Sequence, residues 1–221
     1  MIKDEIIGLQ REMPSGVKLV AVSKFHPAKM ILEAYEAGQR CFGESRVQEL
    51  LDKIQQLPAD IEWHFIGHLQ SNKVKFLVGK VSIIESVDSE RLLELIDLES
   101  RKAGVLTRVL MQVHVAQETT KFGFYPEELI CYFKDRKFEK LTNTHICGIM
   151  GMATNTENQE KIRSEFAMIA SLHREIREAV APDLRGFDQI SMGMSSDWPI
   201  AVQEGATSVR IGSKIFGERG Y

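Results

Sequence analysis

Cysteine is scarce: the 221 residues include three, Cys41, Cys131 and Cys147. They are odd in number, far apart and without a C-x-x-C pair, which excludes a disulfide framework. They read as reduced, mostly buried thiols of a cytoplasmic protein. No apolar run approaches the roughly 18 residues of a membrane span. The first residues, Met1-Ile2-Lys3-Asp4-Glu5-Ile6-Ile7, open an amphipathic helix and lack the apolar core and cleavage site of a signal peptide. A formal net charge of −3 offers no electrostatic case for nucleic acid or an anionic membrane. Also missing are a Walker lysine loop, a G-x-G-x-x-G fingerprint and a G-x-S-x-G elbow. No linker, low-complexity segment or heptad run divides the chain.

What is present is alternation. Short apolar runs predict strands at Lys18–Ser23, Arg40–Gly43, Glu62–Ile66, Val81–Glu85, Thr107–His114, Thr144–Met150, Gly186–Ser191 and Thr207–Ile211. Between them, helical patterns cover Ala28–Ala37, Arg46–Gln55, Ser71–Val78, Ser89–Ala103, Pro126–Arg136, Asn158–Val180 and Ser196–Glu204. Asp88 and Ser89 suit a helix start, and Gly38 and Gly104 suit helix ends. Alternation of this kind means parallel pairing with right-handed crossovers. Eight units in this length close more readily than they lie open. The expectation is an α/β fold, one (β/α)8 barrel over residues 1–221 with an extra N-terminal helix.

Two motifs carry chemistry. Leu19, Val20, Ala21 and Val22 leave both faces of the first strand apolar, as in a parallel strand buried on both sides. Lys24 follows at its C-terminal end, where α/β folds keep their active sites. An amine there can lose solvation, lower its pKa and attack a carbonyl. The bland alternative is a lysine marking the strand's exit into solvent. The last strand runs into Gly212-Ser213, where glycine admits a ligand close to the backbone and a starting helix offers free N–H groups. Ser213 and Ser195 add hydroxyls, and together they suggest a phosphate cup. Barrel closure sets the first and last strands side by side, with Arg210 beside the cup. An amine for an aldehyde, a cup for a phosphate and a partner for a ring nitrogen are what pyridoxal 5'-phosphate requires. For Arg210 the alternative is a strand-end salt bridge.

These residues belong to a larger set: Ala21-Val22-Ser23-Lys24, Phe42-Gly43-Glu44-Ser45-Arg46-Val47-Gln48-Glu49, Trp63-His64-Phe65-Ile66-Gly67-His68-Leu69-Gln70-Ser71-Asn72-Lys73, Lys121-Phe122-Gly123-Phe124, Ser191-Met192-Gly193-Met194-Ser195 and Val209-Arg210-Ile211-Gly212-Ser213. In this order they resemble the pyridoxal phosphate homeostasis proteins, single-domain relatives of the N-terminal barrel of alanine racemase. The resemblance spans nearly the whole chain. It implies an alanine racemase N-terminal-domain-like barrel that holds pyridoxal 5'-phosphate as a Schiff base on Lys24, with Ser45, Ser191, Ser195, Arg210, Gly212 and Ser213 as further cofactor-binding residues. The chain departs from the family at Ser45, where Asn is common, at Arg46, where Tyr is common, and at Ser213, where Thr is common.

Other signals are weaker. His64 and His68 are four apart, but the stretch reads as strand and loop and no third ligand completes a metal site. Hydrogen bonding near the barrel mouth is the expected role. His114 and His145 read as core or layer residues, and Lys73, Lys75 and Lys80 as a solvated face. Met150, Met152, Met192 and Met194 read as packing at the barrel mouth.

Two function classes follow. One is a non-catalytic protein of vitamin B6 homeostasis that buffers the cofactor or delivers it to apo pyridoxal-phosphate enzymes. The other is a racemase-like enzyme, which needs an acid/base group on each face of its substrate. In alanine racemase the opposing tyrosine comes from a second domain and the dimer partner. This chain ends at Tyr221 without room for that domain, and Tyr35, Tyr125 and Tyr132 fall in or beside predicted outer helices. The first class is preferred, with a monomer as the expected state.

Overall fold

The computed structural model describes residues 1–115 and 122–217. The expectations attached to Lys121 and Tyr221 lie outside the described residues. Eight strands form a closed, all-parallel barrel in chain order: β1 Lys18–Val22, β2 Cys41–Glu44, β3 Glu62–Phe65, β4 Ile83–Val87, β5 Thr107–Val113, β6 Thr144–Gly151, β7 Gln189–Ser191 and β8 Ser208–Ile211. The helices are α1 Ile2–Glu12, α2 Ala28–Glu36, α3 Val47–Ile54, α4 Val74–Leu77, α5 Glu90–Ala103, α6 Pro126–Lys134, α7 Gln159–Glu175, α8 Trp198–Gln203 and α9 Ser213–Phe216. The extra N-terminal helix is α1, which buries Ile2, Ile6 and Leu9 along one stripe and packs on α2 and α9. Among the described residues, no helix is long and apolar enough to cross a membrane.

The near-continuous apolar strands have a simple cause. Successive side chains point to opposite sheet faces, and here both faces are covered. Leu19, Ala21, Phe42, Phe65, Ile84 and Val209 belong to the large apolar layer between barrel and helices. Ile83, Leu110, Cys147 and Met150 form a smaller cluster separate from it. Alternation then puts His64, Glu85 and Arg210 on the inner face as well. The β5–β6 pairing skips from Val109↔Ile146 to Leu110↔Gly148, a bulge. Gly148 sits there at φ +152, and a Cβ would fall 1.8 Å from the Gln189 carbonyl oxygen, so only glycine fits.

Most elements end within a residue or two of the expected bounds; β7, expected over Gly186–Ser191, is reduced to Gln189–Ser191, and three further departures have a physical cause. The fourth strand starts and ends two residues later than expected, at Ile83–Val87, which moves Glu85 from the strand's end to its middle. Residues Ser71–Lys73 form a 3₁₀ turn ahead of the single-turn α4. The long helix expected over Asn158–Val180 is α-helical to Glu175 and then widens to a π-turn over Ile176–Val180. The Ala181 N–H closes that turn onto the Ile176 carbonyl, and Pro182 prevents further helix.

Candidate functional site

Lys24 sits in a turn just past β1 and is half-buried. That turn is clamped from α3. Lys53 Nζ donates to the Ser23 carbonyl at 2.9 Å and to Glu44 and Glu49 at 2.7 Å each. The Ser23 hydroxyl donates to Glu44 at 2.6 Å, and the Phe25 N–H to Glu49 at 2.6 Å. Phe25 adopts φ +68, a left-handed conformation that costs an aromatic residue about 1 kcal/mol or more. Glu49 on its N–H and the Arg46 guanidinium 4.5 Å over its ring hold it there. Burial pushes the Glu44 carboxyl above its ordinary pKa, and the Lys53 charge beside it opposes that rise.

The opposite wall comes from β7 and β8. Register pairs Val20 with Arg210 and Ala21 with Ile211, so the chain leaving β8 passes beside the end of β1. A Cβ at Gly212 would come 3.1 Å from the Val22 carbonyl oxygen, a close approach that favours glycine. The Gly212 N–H donates to Ser195 Oγ at 3.3 Å. A cavity of about 260 Å³ opens between these walls. Its polar lining is Lys24, Ser195, Ser196, Arg210, Gly212 and Ser213; its apolar lining is Val22, Ile66, Met150, Met152 and Met194. Met192, expected with the other methionines, is fully buried in the outer apolar layer instead.

Arg210 is both a cavity residue and an ion-pair member. Its Nη1 donates to Ser191 Oγ at 2.5 Å and its Nη2 to the Gly151 carbonyl at 2.9 Å. Glu85 lies 3.7 Å from Nη1, accepts the Ser191 hydroxyl at 2.5 Å, and meets His64 Nδ1 at 2.5 Å. Burial pulls the Arg210 pKa down, against the charges of Glu85 and Asp197. Burial raises the Glu85 pKa, but the His64 hydrogen bond, with the charges of His64 and Arg210, outweighs it and leaves the carboxyl below its ordinary value.

Of the residues singled out from sequence, Lys24, Ser195, Arg210, Gly212 and Ser213 meet at one cavity. Ser191 lies fully buried, bridging Arg210 and Glu85. Ser45 lines a neighbouring cavity with Arg46, Gln48 and His68. His68 pairs with Asp88 at 3.0 Å and stacks on Phe122. His114 is half-buried just beyond β5, its ring edge-on to Tyr125. No tyrosine among the described residues lines the Lys24 cavity. Two of the cysteines are buried and Cys131 is exposed. Cys41, Glu62 and His64 converge closely enough to hold a metal, but the Lys18 ammonium already stands 2.8 Å from Glu62 and supplies the counter-charge.

Sequence reading passed over Glu85 and Lys53 and gave Glu44 and Glu49, though within a quoted motif, no role. A signal existed. Glu85 in Ile83-Ile84-Glu85-Ser86-Val87 and His64 in Trp63-His64-Phe65-Ile66 are ionisable residues inside apolar strands, and a buried charge demands a partner.

The cavity has the parts that pyridoxal 5'-phosphate needs. It offers an amine on one wall, hydroxyls around a glycine at one end, flexible apolar side walls and a guanidinium. The close Gly212–Val22 approach sets the hydroxyl end beside the amine. The family model of the alanine racemase N-terminal domain matches residues 2–220. The pyridoxal phosphate homeostasis protein of Aquifex aeolicus is 42% identical over 205 residues, covering 92% of this chain and 88% of the relative. The solved structure of PipY from Synechococcus elongatus without PLP superposes with a TM-score of 0.93 at 38% identity, covering 98% of this chain and 100% of that one. With PLP bound, the same protein gives a TM-score of 0.90 at the same identity and coverage. With the barrel, the shared motifs and this similarity along nearly its whole length, the chain belongs to the alanine racemase N-terminal domain family and, within it, to the pyridoxal phosphate homeostasis proteins.

Proposed function

We propose that this chain acts as one domain that holds pyridoxal 5'-phosphate on Lys24 and buffers or delivers it in vitamin B6 homeostasis, without substantial turnover of its own. The observation that carries the reading is the convergence of Lys24, Arg210 and the Gly212–Ser213 end on a single cavity. When bound, pyridoxal 5'-phosphate would supply an aldehyde for a lysine amine. Lys24, on the cavity wall, would be the amine that holds it. Ser213 and Ser195 would hold its phosphate through their hydroxyls, and Arg210 would be the partner of its ring nitrogen. A guanidinium cannot accept a proton, so it favours an unprotonated nitrogen and a weaker electron sink. Val22, Ile66 and the three methionines, the apolar lining of the cavity, would keep water from its ring.

The recipients are apo pyridoxal-phosphate enzymes, and the carrier works in the cytoplasm as a monomer. Reduced thiols and a self-contained barrel support that reading. The test is direct. The purified protein is yellow, and borohydride fixes the group to Lys24 in peptide mapping. Label on Lys18, Lys29 or Lys121 instead would overturn the assignment. Lys24→Ala loses the visible band and retains weaker, phosphate-dependent binding.

A further inference from the structure

Glu85 is fully buried, does not line the cavity, and meets three partners drawn from three strands. The groups that face it are His64 on β3, Ser191 on β7 and Arg210 on β8, with the Cys41 thiol on β2 further off. The direction of the chain is fixed by donor inventory. A guanidinium only donates and an ionised carboxylate only accepts. Ser191 therefore accepts from Arg210 and spends its one proton on Glu85. His64 Nδ1 likewise carries a proton toward Glu85. Ser191, expected from sequence to touch the cofactor, has no donor left for it.

We propose that Glu85 is a positioning residue for Arg210: through Ser191 and its own charge it fixes the guanidinium at the cavity and reduces the positive field acting on Lys24. The inference rests on the proposed function for its ligand half, while its pairing half concerns the ligand-free barrel. Arg210 already hydrogen-bonds only to neutral groups, Ser191 and the Gly151 carbonyl; without Glu85 it also loses the carboxylate 3.7 Å away, and a buried charge deprived of its counter-ion is strongly unfavourable. The positive field at Lys24 also rises, which disfavours a protonated Schiff-base nitrogen there. A unit charge added or removed near a titrating group at an effective dielectric of about 20 shifts its pKa by an amount on the order of one unit.

The experiment has two arms on the full chain. In ligand-free protein, Glu85→Gln and Arg210→Gln are each expected to lower Tm, and the double variant to lose less than the sum of the two. Additive losses would overturn the pairing. Should neither single variant fold, recovery of folding in the double variant supports the pairing and failure to recover overturns it. In protein loaded with pyridoxal 5'-phosphate, Glu85→Gln is expected to move the pH midpoint of the visible band down by about one unit. Asp97→Asn serves as the control. It alters another buried carboxylate, which accepts the Thr142 and Asn143 N–H groups, and is expected to lower Tm with the midpoint unchanged. A Glu85→Gln protein with wild-type midpoint would mean that the carboxylate only holds the barrel together. Absence of cofactor binding by the unaltered chain would remove the proposed function, yet the ligand-free arm would still judge Glu85.

Discussion

Ser195 accepts the Gly212 N–H, so its own hydroxyl proton is directed elsewhere, and the cavity it lines is the available direction. Ser213, exposed at the first turn of α9, adds a second hydroxyl beside N–H groups that have no carbonyl one turn back. Both are donors suited to an anion. Changing both to Ala is expected to weaken pyridoxal 5'-phosphate binding by about 1–3 kcal/mol in total, the worth of hydrogen bonds to a charged group. Fluorescence or absorbance titration reads this directly, and unphosphorylated pyridoxal is expected to bind far more weakly than its phosphate. Equal affinities for the two would place the anion site elsewhere. At this scale the sequence was informative where a residue's role depends on its place at a strand end. Lys24, Arg210, Gly212 and Ser213 could be read from that place. Ser45 could not, because which cavity it lines depends on how the chain turns after β2 and packs on Gly67.

The element that matters most to Lys24 is α3, although it contributes no residue to the cavity. Its Lys53, with a side chain only 6% exposed, ties β1, β2 and its own first turn together through three oxygens. Removing it leaves Glu44 buried and uncompensated. Lys53→Met is expected to cost about 3–5 kcal/mol at neutral pH, the usual penalty for orphaning one member of a buried pair. The pH dependence has a definite sign. Glu44 already has a raised pKa in the folded protein, so its ionisation opposes folding as pH rises. Without Lys53 that rise is larger, and acidification, which protonates Glu44, restores part of the lost stability. Denaturant melts of the variant at pH 5 and pH 8 measure this; equal losses at both would show that Glu44 is not the group responsible. Helical periodicity located α3, but its tertiary task was hidden. A lysine in Leu50-Leu51-Asp52-Lys53-Ile54 reads as solvated until the barrel sets it over Glu44. The two-residue displacement of β4 has a similar origin. The apolar run from Val81 to Val87 fits either register, and pairing with β3 through His64↔Ile83 and Phe65↔Ile84 selects one.

Closure of the whole barrel turns separate motifs into a site and also limits what that site can do. Racemisation removes a proton from one face of the substrate carbon and returns it to the other, so two acid/base groups must flank the carbon. Lys24 can serve one face. Among the described residues lining the cavity, the remaining polar side chains are Ser195, Ser196, Ser213 and Arg210; the serines are neutral hydroxyls and Arg210 stays protonated. Proton transfer from a positioned group is typically worth about 10²- to 10⁴-fold, and with the proposed placement of the cofactor a ring nitrogen set against Arg210 would lose electron-sink strength as well. The expected outcome is therefore no physiologically useful racemase, decarboxylase or transaminase turnover with common amino acids. Release of pyridoxal 5'-phosphate to an apo-enzyme should instead be measurable as recovered activity of the recipient. Cells lacking the protein are expected to show disturbed pyridoxine-phosphate and amino-acid pools. Turnover of roughly 1 s⁻¹ or faster, the low end for ordinary enzymes, abolished by Lys24→Ala, would reverse the reading in favour of a racemase-like enzyme.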